Sequence, residues 1–216
     1  MKKNNLFLFD KKLRADDSIL IGTDEAGRGP GAGDVVAAAV YFENPDKSLI
    51  KDLERLDDSK KLNDKIREEL FEIILENSIN EIVFGSVEEI EKTNILKTSL
   101  NCMKKACLSV ISRLEGENIR VIVDGNKLIP DFSYPQQYIV KGDGKSASIA
   151  AASILAKVSR DRYMCELDRE FPQYLWAKNK GYLTAEHLAA IDEYGTTKYH
   201  RQKFLEKHFT KQLSLF

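Results

Sequence analysis

The chain has 216 residues, of which 43% are hydrophobic and 31% charged, as in an ordinary globular protein. This length supports one domain with one sizeable core and at most a small appended subdomain. With 33 basic and 34 acidic residues the formal charge is −1, which argues against a histone-like coating protein. A nucleic-acid binder of this charge has to concentrate its basic groups on one face.

The cysteines indicate a reducing compartment. Cys102, Cys107 and Cys165 lack the spacing of a metal site, and an odd number gives no disulfide framework. We therefore expect reduced thiols in a cytoplasmic protein. The first apolar stretch is interrupted by Asp10-Lys11-Lys12, so no signal peptide is predicted, and no apolar run is long enough to cross a bilayer.

The first half of the chain begins with two predicted strands, at residues 18–24 and 35–42. The glycine-rich link at 27–33 is too short for a crossover helix, so the two strands should form an antiparallel hairpin. Asn63 is a plausible cap for a helix at 63–77. The elements that follow are a strand at about 81–87 and two helices within 88–114, the second beginning near residue 95.

The second half alternates strands with helices. A short apolar run at 119–123 predicts a buried parallel strand, and 137–140 predicts the next strand. A long helix at about 146–169 should pack through its small residues, and Thr184 should cap a later helix. This order predicts an α/β layer structure with a mixed sheet.

The segment Asp24-Glu25-Ala26-Gly27-Arg28-Gly29-Pro30 follows the first predicted strand. Paired carboxylates at a strand end suit a divalent cation, and bare backbone N–H groups beside them suit a phosphodiester or a sugar hydroxyl. Adjacent strand residues point to opposite faces of a sheet. Both acids can therefore serve one centre only if the strand ends or bulges there.

Asp124 and Asp143 also lie where predicted strands end. In open α/β sheets ligand sites gather at this edge, so four acids converge if their strands are neighbours. Such a cluster needs cations, and its hard oxygen ligands select Mg²⁺ or Mn²⁺. Taken alone, Asp124-Gly125 and Lys141–Gly144 would be read as turns.

The blocks Asp24–Pro30, Asp58–Leu62, Val123–Gly125, Lys141–Asp143 running into Ser148–Val158, and Lys180–Tyr182 occur in this order along the chain. Together they resemble bacterial ribonuclease HII, the type 2 ribonuclease H that cuts RNA within DNA–RNA hybrids. The resemblance implies the ribonuclease H-like fold, a mixed five-stranded sheet flanked by helices with a helical C-terminal lobe. It covers roughly residues 18–204, between an N-terminal extension (1–17) and a C-terminal tail (205–216).

The resemblance also implies the catalytic roles. Asp24, Glu25 and Asp124 match the metal-binding acids, and Asp143 matches the fourth acid, which completes the second metal site or orients water. Hydrolysis would then use two Mg²⁺ or Mn²⁺ ions and leave 5′ phosphate and 3′ hydroxyl ends. The histidines, expected in surface or structural roles, are His187, His200 and His208.

An enzyme specific for RNA in a hybrid has to detect the 2′ hydroxyl. Gly27-Arg28-Gly29 resembles the family element that does so through backbone groups, and Tyr182 matches the tyrosine that packs on the sugar past the junction. Gly31 and Leu183 depart from the family, which commonly has leucine and glycine there. The candidate phosphate contacts are Lys60, Lys61, Lys145, Lys180, Lys198, His200, Lys203 and, as the strongest candidate, Arg201.

Three alternatives remain. Gly144-Lys145-Ser146 prompts a P-loop nucleotide hydrolase, although Ile139 stands where that motif needs glycine. A catalytically silent hybrid-binding module would gain nothing from four acids beside phosphates. Ribonuclease HIII is the third, and Arg28 favours HII. The expected substrates are RNA–DNA hybrids and duplex DNA containing ribonucleotides, bound by a monomer.

The last five residues resemble the peptide by which bacterial repair proteins bind the DNA polymerase sliding clamp. A mobile terminus would offer apolar side chains to a groove, with a glutamine as the hydrogen-bonding end. The alternative is that these side chains pack on the C-terminal lobe. The residues expected to contact the clamp are Gln212, Leu213, Leu215 and Phe216.

Overall fold

The structure, a computed structural model, describes residues 6–14, 18–57, 59–116 and 118–213. The strands are β1 (Ile19–Ala26), β2 (Val35–Tyr41), β3 (Ile79–Gly85), β4 (Ile119–Asp124) and β5 (Gln136–Ile139). The α-helices in these ranges are α1 (Leu6–Leu13), α2 (Lys47–Asp52), α3 (Asp64–Glu76), α4 (Val87–Lys92), α5 (Ile95–Ile111), α6 (Ala147–Glu170), α7 (Trp176–Asn179), α8 (Ala185–Tyr194) and α9 (Gln202–Leu213).

The strands form one mixed sheet in the order β3-β2-β1-β4-β5. β1 is central: it pairs antiparallel with β2 and parallel with β4, which itself pairs parallel with β5. The predicted hairpin and the predicted parallel strand are therefore both confirmed. β2 is buried along its whole length because helices cover both faces of the sheet, which explains its unbroken apolar sequence.

Alternate residues of β2 face different helices. Val36 and Ala38 pack in a cluster with α6, whereas Val35 and Ala37 pack in a cluster with α5. α6 approaches β1 closely at Gly22, where a Cβ would lie 2.4 Å from the carbonyl carbon of Ser148. The small residues of α6 are buried against the sheet, as the sequence predicts.

The C-terminal lobe packs around Trp176, whose ring stacks on Tyr174 with centroids 5.0 Å apart. The loop after β1 is tied to this lobe, because the Gly31 N–H donates to the Gly181 carbonyl oxygen at 2.9 Å. The segment that follows the paired acids is thus held in place by the C-terminal lobe. Helix α9 crosses the expected boundary between residues 204 and 205.

Helix α1 is an element that the sequence does not predict. Leu6 and Phe7 are buried in the α6 cluster. The Asp10 carboxylate accepts hydrogen bonds from the Ser148 N–H (2.8 Å) and hydroxyl (2.7 Å), and so places a negative charge at the start of α6. None of the helices in the described ranges is long and apolar enough to span a bilayer.

Candidate active site

Asp24 and Glu25 lie near the end of β1, on opposite faces of the sheet. β1 stays paired with β2 in regular register up to Ala26, beyond both acids, so the expected strand end or bulge at these residues is wrong. The two carboxylates accept hydrogen bonds from different helices, Asp24 from Ser153 of α6 and Glu25 from Ser99 of α5. They approach the sheet edge from its two sides.

Asp124, the last residue of β4, is the common neighbour of these two acids. Its negative charge raises the pKa of both Asp24 and Glu25. Its Oδ1 accepts a hydrogen bond from the Gly142 N–H at 2.6 Å. A Cβ at Gly142 would lie 2.6 Å from Ile149 Cδ1 and 3.2 Å from that Oδ1, so a side chain there would displace Ile149 or the Asp124 carboxylate.

Asp143 lies in the 3₁₀ turn Gly142–Gly144, directly after β5. It is buried, and its Oδ1 accepts a hydrogen bond from the Gly144 N–H at 2.9 Å. The same turn donates to Asp124. All four predicted acids therefore follow or end adjacent strands, at the carboxyl edge of the sheet where ligand sites gather.

The acids are held in an unfavourable electrostatic environment. Burial raises the pKa of Asp24 well above its ordinary value, and the charges of Glu25 and Asp124 raise it further. Burial also raises the pKa of Glu25, an effect that Arg28 opposes because its Nη1 lies 3.2 Å from Glu25 Oε1. Neutralisation by a bound cation would relieve this repulsion.

The donor set fits a hard divalent cation. All four candidate ligands are carboxylates, the ligands that Mg²⁺ and Mn²⁺ prefer. Within the described parts of the chain, no three Asp, Glu, His or Cys side chains are arranged as a metal centre. The fit therefore rests on the chemistry and the common location of the acids.

The loop after β1 presents backbone donors beside these acids. Gly27 has a φ of 96°, in the left-handed region that favours glycine. The N–H groups of Gly27, Arg28 and Gly29 donate no hydrogen bond to any described residue. A Cβ on Gly29 would lie 3.4 Å from Tyr182 Cε1, and Tyr182 is 52% exposed. Free donors and an exposed aromatic ring thus lie side by side.

Comparison with known proteins identifies the family of this site. The model of the family described as ribonuclease HII matches residues 21–212. The chain belongs to the ribonuclease HII family. Ribonuclease HII of Fusobacterium nucleatum is 44% identical over 205 residues, covering 94% of this chain and 92% of the relative. That of Pelagibacter ubique is 50% identical over 188 residues, covering 86% and 95%.

The family establishes the class of reaction. Ribonuclease H enzymes are hydrolases that act on RNA–DNA hybrids, and this chain is such an enzyme, which hydrolyses the RNA strand. The ribonuclease H family depends on divalent metal ions, in agreement with the carboxylate cluster.

Solved structures confirm the ribonuclease H-like fold. Ribonuclease HII of Archaeoglobus fulgidus, solved in complex with PCNA, superposes with a TM-score of 0.70 at 27% identity, over 86% of this chain and 94% of that one. Bst-RNase HIII, solved in complex with Mn²⁺, superposes with a TM-score of 0.69 at 20% identity, over 87% and 64%. At this identity the likeness shows a shared fold.

Arg201 does not lie on the surface of the protein. It is fully buried, and its guanidinium donates to the carbonyl oxygens of Pro30 (2.8 Å) and Gly33 (2.9 and 2.6 Å). An enclosed guanidinium cannot reach a phosphate in solvent, so the prediction of a phosphate contact is wrong. The neighbouring His200 is buried as well.

The predicted lysine contacts differ in their surroundings. Lys60 is exposed on the 3₁₀ turn Ser59–Lys61 and stays a candidate phosphate contact. The Lys180 ammonium lies 3.1 Å from Cys165 Sγ. Lys145 donates to the Val140 carbonyl oxygen at 2.7 Å.

The P-loop alternative has a simpler explanation in the structure. Ser146 is the N-cap of α6, and its hydroxyl accepts the Ile149 N–H at 3.2 Å. Gly144 ends the preceding 3₁₀ turn. The Gly-Lys-Ser sequence therefore starts a helix directly beside a buried acid, Asp143, and this acid would repel a nucleotide phosphate.

Two serines connect the block at 58–62 to the acids, although the sequence did not single them out for this role. Ser153 donates to Asp24, and its Oγ lies 2.9 Å from Ser59 Oγ. Ser59 belongs to the block 58–62, so this block contacts the cluster through two hydroxyls; Asp58 itself lies outside the described residues. The sequence alone does not mark Ser153 as a partner of Asp24, because Ser153 lies among small residues that pack against the sheet.

Two histidines are structural, as expected. The Nε2 atoms of His187 and His200 lie 3.1 Å apart in the buried Trp176 cluster. His187 Nδ1 donates to the Tyr182 carbonyl oxygen at 2.9 Å, which fixes the segment that presents Tyr182.

The tail stays a prediction. Gln212 and Leu213 belong to the last turn of α9, and only their backbone is described. Leu215 and Phe216 lie outside the described residues.

Proposed function

We propose that this enzyme nicks duplex DNA on the 5′ side of embedded ribonucleotides, in addition to hydrolysing the RNA of hybrids. The observation that carries the proposal is the pairing of four acids with a loop in which the Gly27, Arg28 and Gly29 N–H groups donate to no described residue. An acid cluster alone would serve any phosphodiesterase, whereas backbone donors beside it can select for the 2′ hydroxyl. The products would carry 5′ phosphate and 3′ hydroxyl ends.

In this proposal Asp24, Glu25 and Asp124 hold Mg²⁺ or Mn²⁺, with Asp143 completing the second site. A bound pair of such ions supplies an activated water and stabilises the leaving 3′ oxygen. The chain contributes the positions of the ligands: Ser153 orients Asp24, and the Gly142 N–H orients Asp124. These hydrogen bonds hold the Asp24 and Asp124 carboxylates in place without the help of a cation.

Substrate selection falls to the loop and to Tyr182. The Gly27, Arg28 and Gly29 N–H groups would donate to the sugar hydroxyl or to its adjacent phosphate, and the Tyr182 ring would stack on the next sugar. Lys60, the exposed residue directly after Ser59, would contact a phosphate of the substrate. The substrate is thereby read by shape at one nucleotide rather than by base sequence.

The decisive experiment uses one duplex that carries a single ribonucleotide and a matched all-DNA duplex. With Mg²⁺ or Mn²⁺ we expect one nick, 5′ of the ribonucleotide, and no comparable cleavage of the all-DNA duplex. Asp124→Asn serves as the inactive control, because it keeps an oxygen for the Gly142 N–H but removes the charge. Equal cleavage of both duplexes by the wild type would refute the selectivity.

We further propose that residues 212–216 bind the sliding clamp. The support is the sequence of the tail and the ribonuclease HII of Archaeoglobus fulgidus, whose structure is that of a complex with PCNA. A peptide of this length should bind with a Kd of about 1 μM or weaker. Deletion of residues 212–216 should abolish clamp binding and leave the cleavage of short oligonucleotides unchanged. Loss of intrinsic activity or of folding would show instead that the tail packs on the enzyme.

A further inference from the structure

Two arginines, Arg160 of α6 and Arg201 before α9, are buried beneath the loop at residues 27–34. Neither guanidinium forms an ion pair with a described carboxylate. Both are satisfied by backbone carbonyl oxygens. Arg201 donates to Arg28 (3.4 Å), Pro30 (2.8 Å) and Gly33 (2.9 and 2.6 Å), and Arg160 donates to Ala32 (3.0 Å), Asp34 (2.9 Å) and Lys180 (2.9 Å).

These hydrogen bonds set the orientation of the peptide groups in the loop. In a planar trans peptide the C=O of one residue and the N–H of the next point in opposite directions. Because the Arg28 carbonyl faces the Arg201 guanidinium, the Gly29 N–H is directed away from it. This N–H is one of the donors that bond to no described residue.

We propose that Arg160 and Arg201 are positioning residues, which hold the loop so that its N–H groups face the sugar of the substrate. The inference rests on the proposed function, since it assumes that this loop reads the ribonucleotide. It assigns Arg201 a role opposite to the one predicted from sequence. The arginine acts on the loop from inside the protein and does not touch the nucleic acid.

The glycines of the loop support this assignment. A Cβ on Gly27 would lie 2.1 Å from Arg160 Nε, so glycine is required there to admit the arginine as well as for its positive φ. At Gly33 a Cβ would meet Met164 Sδ at 2.3 Å, and Arg160 Nη2 lies only at the 3.4 Å of ordinary contact. Gly27 is thus the glycine of the loop that makes room for the guanidinium.

Arg160 also joins the loop to the aromatic element of the site. Its Nη1 donates to the Lys180 carbonyl oxygen, two residues before Tyr182, while its Nε and Nη2 donate to the loop. Arg160 therefore sets the distance between the backbone donors and the Tyr182 ring together with the backbone hydrogen bond from the Gly31 N–H to the Gly181 carbonyl oxygen. Both elements have to contact the same stretch of substrate for the selection proposed above.

Arg160→Lys and Arg201→Lys test the inference. Lysine keeps the charge, but one ammonium cannot replace a planar fork that reaches several carbonyls. The matched control is Arg162→Lys on the same helix, whose guanidinium is at the surface and pairs with Glu68 and Glu72. The measurement is the ratio of kcat/KM between the single-ribonucleotide duplex and the all-DNA duplex, together with Mn²⁺ affinity by calorimetry.

We expect the ratio to fall by about tenfold or more in both buried-arginine variants and to stay unchanged in Arg162→Lys. The Mn²⁺ affinity should not change, because the acids are not altered; a simple loss of structure would reduce it. Folded variants that bind Mn²⁺ and keep the wild-type ratio overturn the inference.

Amide NMR separates this inference from the proposed function. In both lysine variants the N–H resonances of residues 27–29 and 31–33 should shift, whether or not the loop reads ribonucleotides, and unshifted resonances overturn the positioning role. If a lysine variant does not fold, hydrogen exchange in the wild-type protein tests the inference instead. Its Arg160 and Arg201 Nε–H groups should exchange far more slowly than that of Arg162, and equal exchange overturns the inference.

Discussion

Gly31 and Leu183 compete for one space between the loop and the C-terminal lobe. A Cβ on Gly31 would lie 2.5 Å from Leu183 Cδ2 and 2.6 Å from its Cγ, well inside ordinary contact. The φ of Gly31 is not in the left-handed region, so the neighbouring leucine, and not the backbone, excludes a side chain there. The commoner family arrangement, leucine at the first position and glycine at the second, would fill the same space from the other side.

We predict that Gly31→Leu and Leu183→Gly are each destabilising and that the double variant recovers most of the loss. Overpacking at Gly31 should cost about 1–3 kcal/mol. Removing Leu183, a partly buried member of the Trp176 cluster, should cost about 2–3 kcal/mol. If the two side chains exclude each other, the coupling free energy should be about 1–3 kcal/mol in favour of the double variant.

Urea unfolding of the wild type, both single variants and the double variant measures this coupling. Leu188→Ala is the control partner, because Leu188 packs in the same cluster, whereas the three atoms nearest to a Cβ on Gly31 all belong to Leu183. Gly31→Leu and Leu188→Ala should be additive. Additivity of Gly31→Leu with Leu183→Gly would refute the reasoning.

Three further predictions concern Asp124, Tyr182 and His200. Asp124→Asn should abolish cleavage yet leave the metal-free protein equally stable or about 1 kcal/mol more stable, since it relieves Asp24; a lower apo Tm would contradict this. Tyr182→Ala should reduce activity more than Tyr182→Phe if the ring face stacks on sugar, whereas equal losses would implicate the hydroxyl. Burial and His187 lower the pKa of His200 to about 4, below the 6.5 of the unfolded chain. Stability should therefore fall as the pH drops from 6.5 towards 4, by up to about 3 kcal/mol, and His200→Gln should show a smaller change in urea unfolding over this range.

The sheet and the acids could be predicted because their signals are local. Apolar runs mark the strands, and Asp124 stands at the residue where such a run ends. Ends of parallel neighbouring strands meet at one edge, so a list of strand ends already approximates the site. The error at Asp24 and Glu25 came from requiring both side chains on one face. The structure shows that acids on two faces can share the neighbour Asp124.

The roles of the buried charges could not be predicted, because nothing near them in the sequence marks their partners. Asp10 bonds to Ser148, and Arg201 to Gly33, across more than a hundred residues in each case. A charged residue in a helix such as α1 is usually a solvated one, and an arginine beside lysines suggests a phosphate contact. Only the fold shows that carbonyl oxygens enclose Arg201.

The buried arginines also affect how a polyanion can approach four acids. The charges of Asp161 and Asp34 act on Arg160, and those of Asp34 and Glu91 act on Arg201, yet neither guanidinium pairs directly with a described carboxylate. Carbonyl oxygens satisfy the N–H donors of both guanidiniums without adding negative charge beside the substrate, as a paired carboxylate would. The support of the loop therefore adds nothing to the repulsion between a phosphodiester and the acid cluster, and a bound cation has only the charge of the acids themselves to offset.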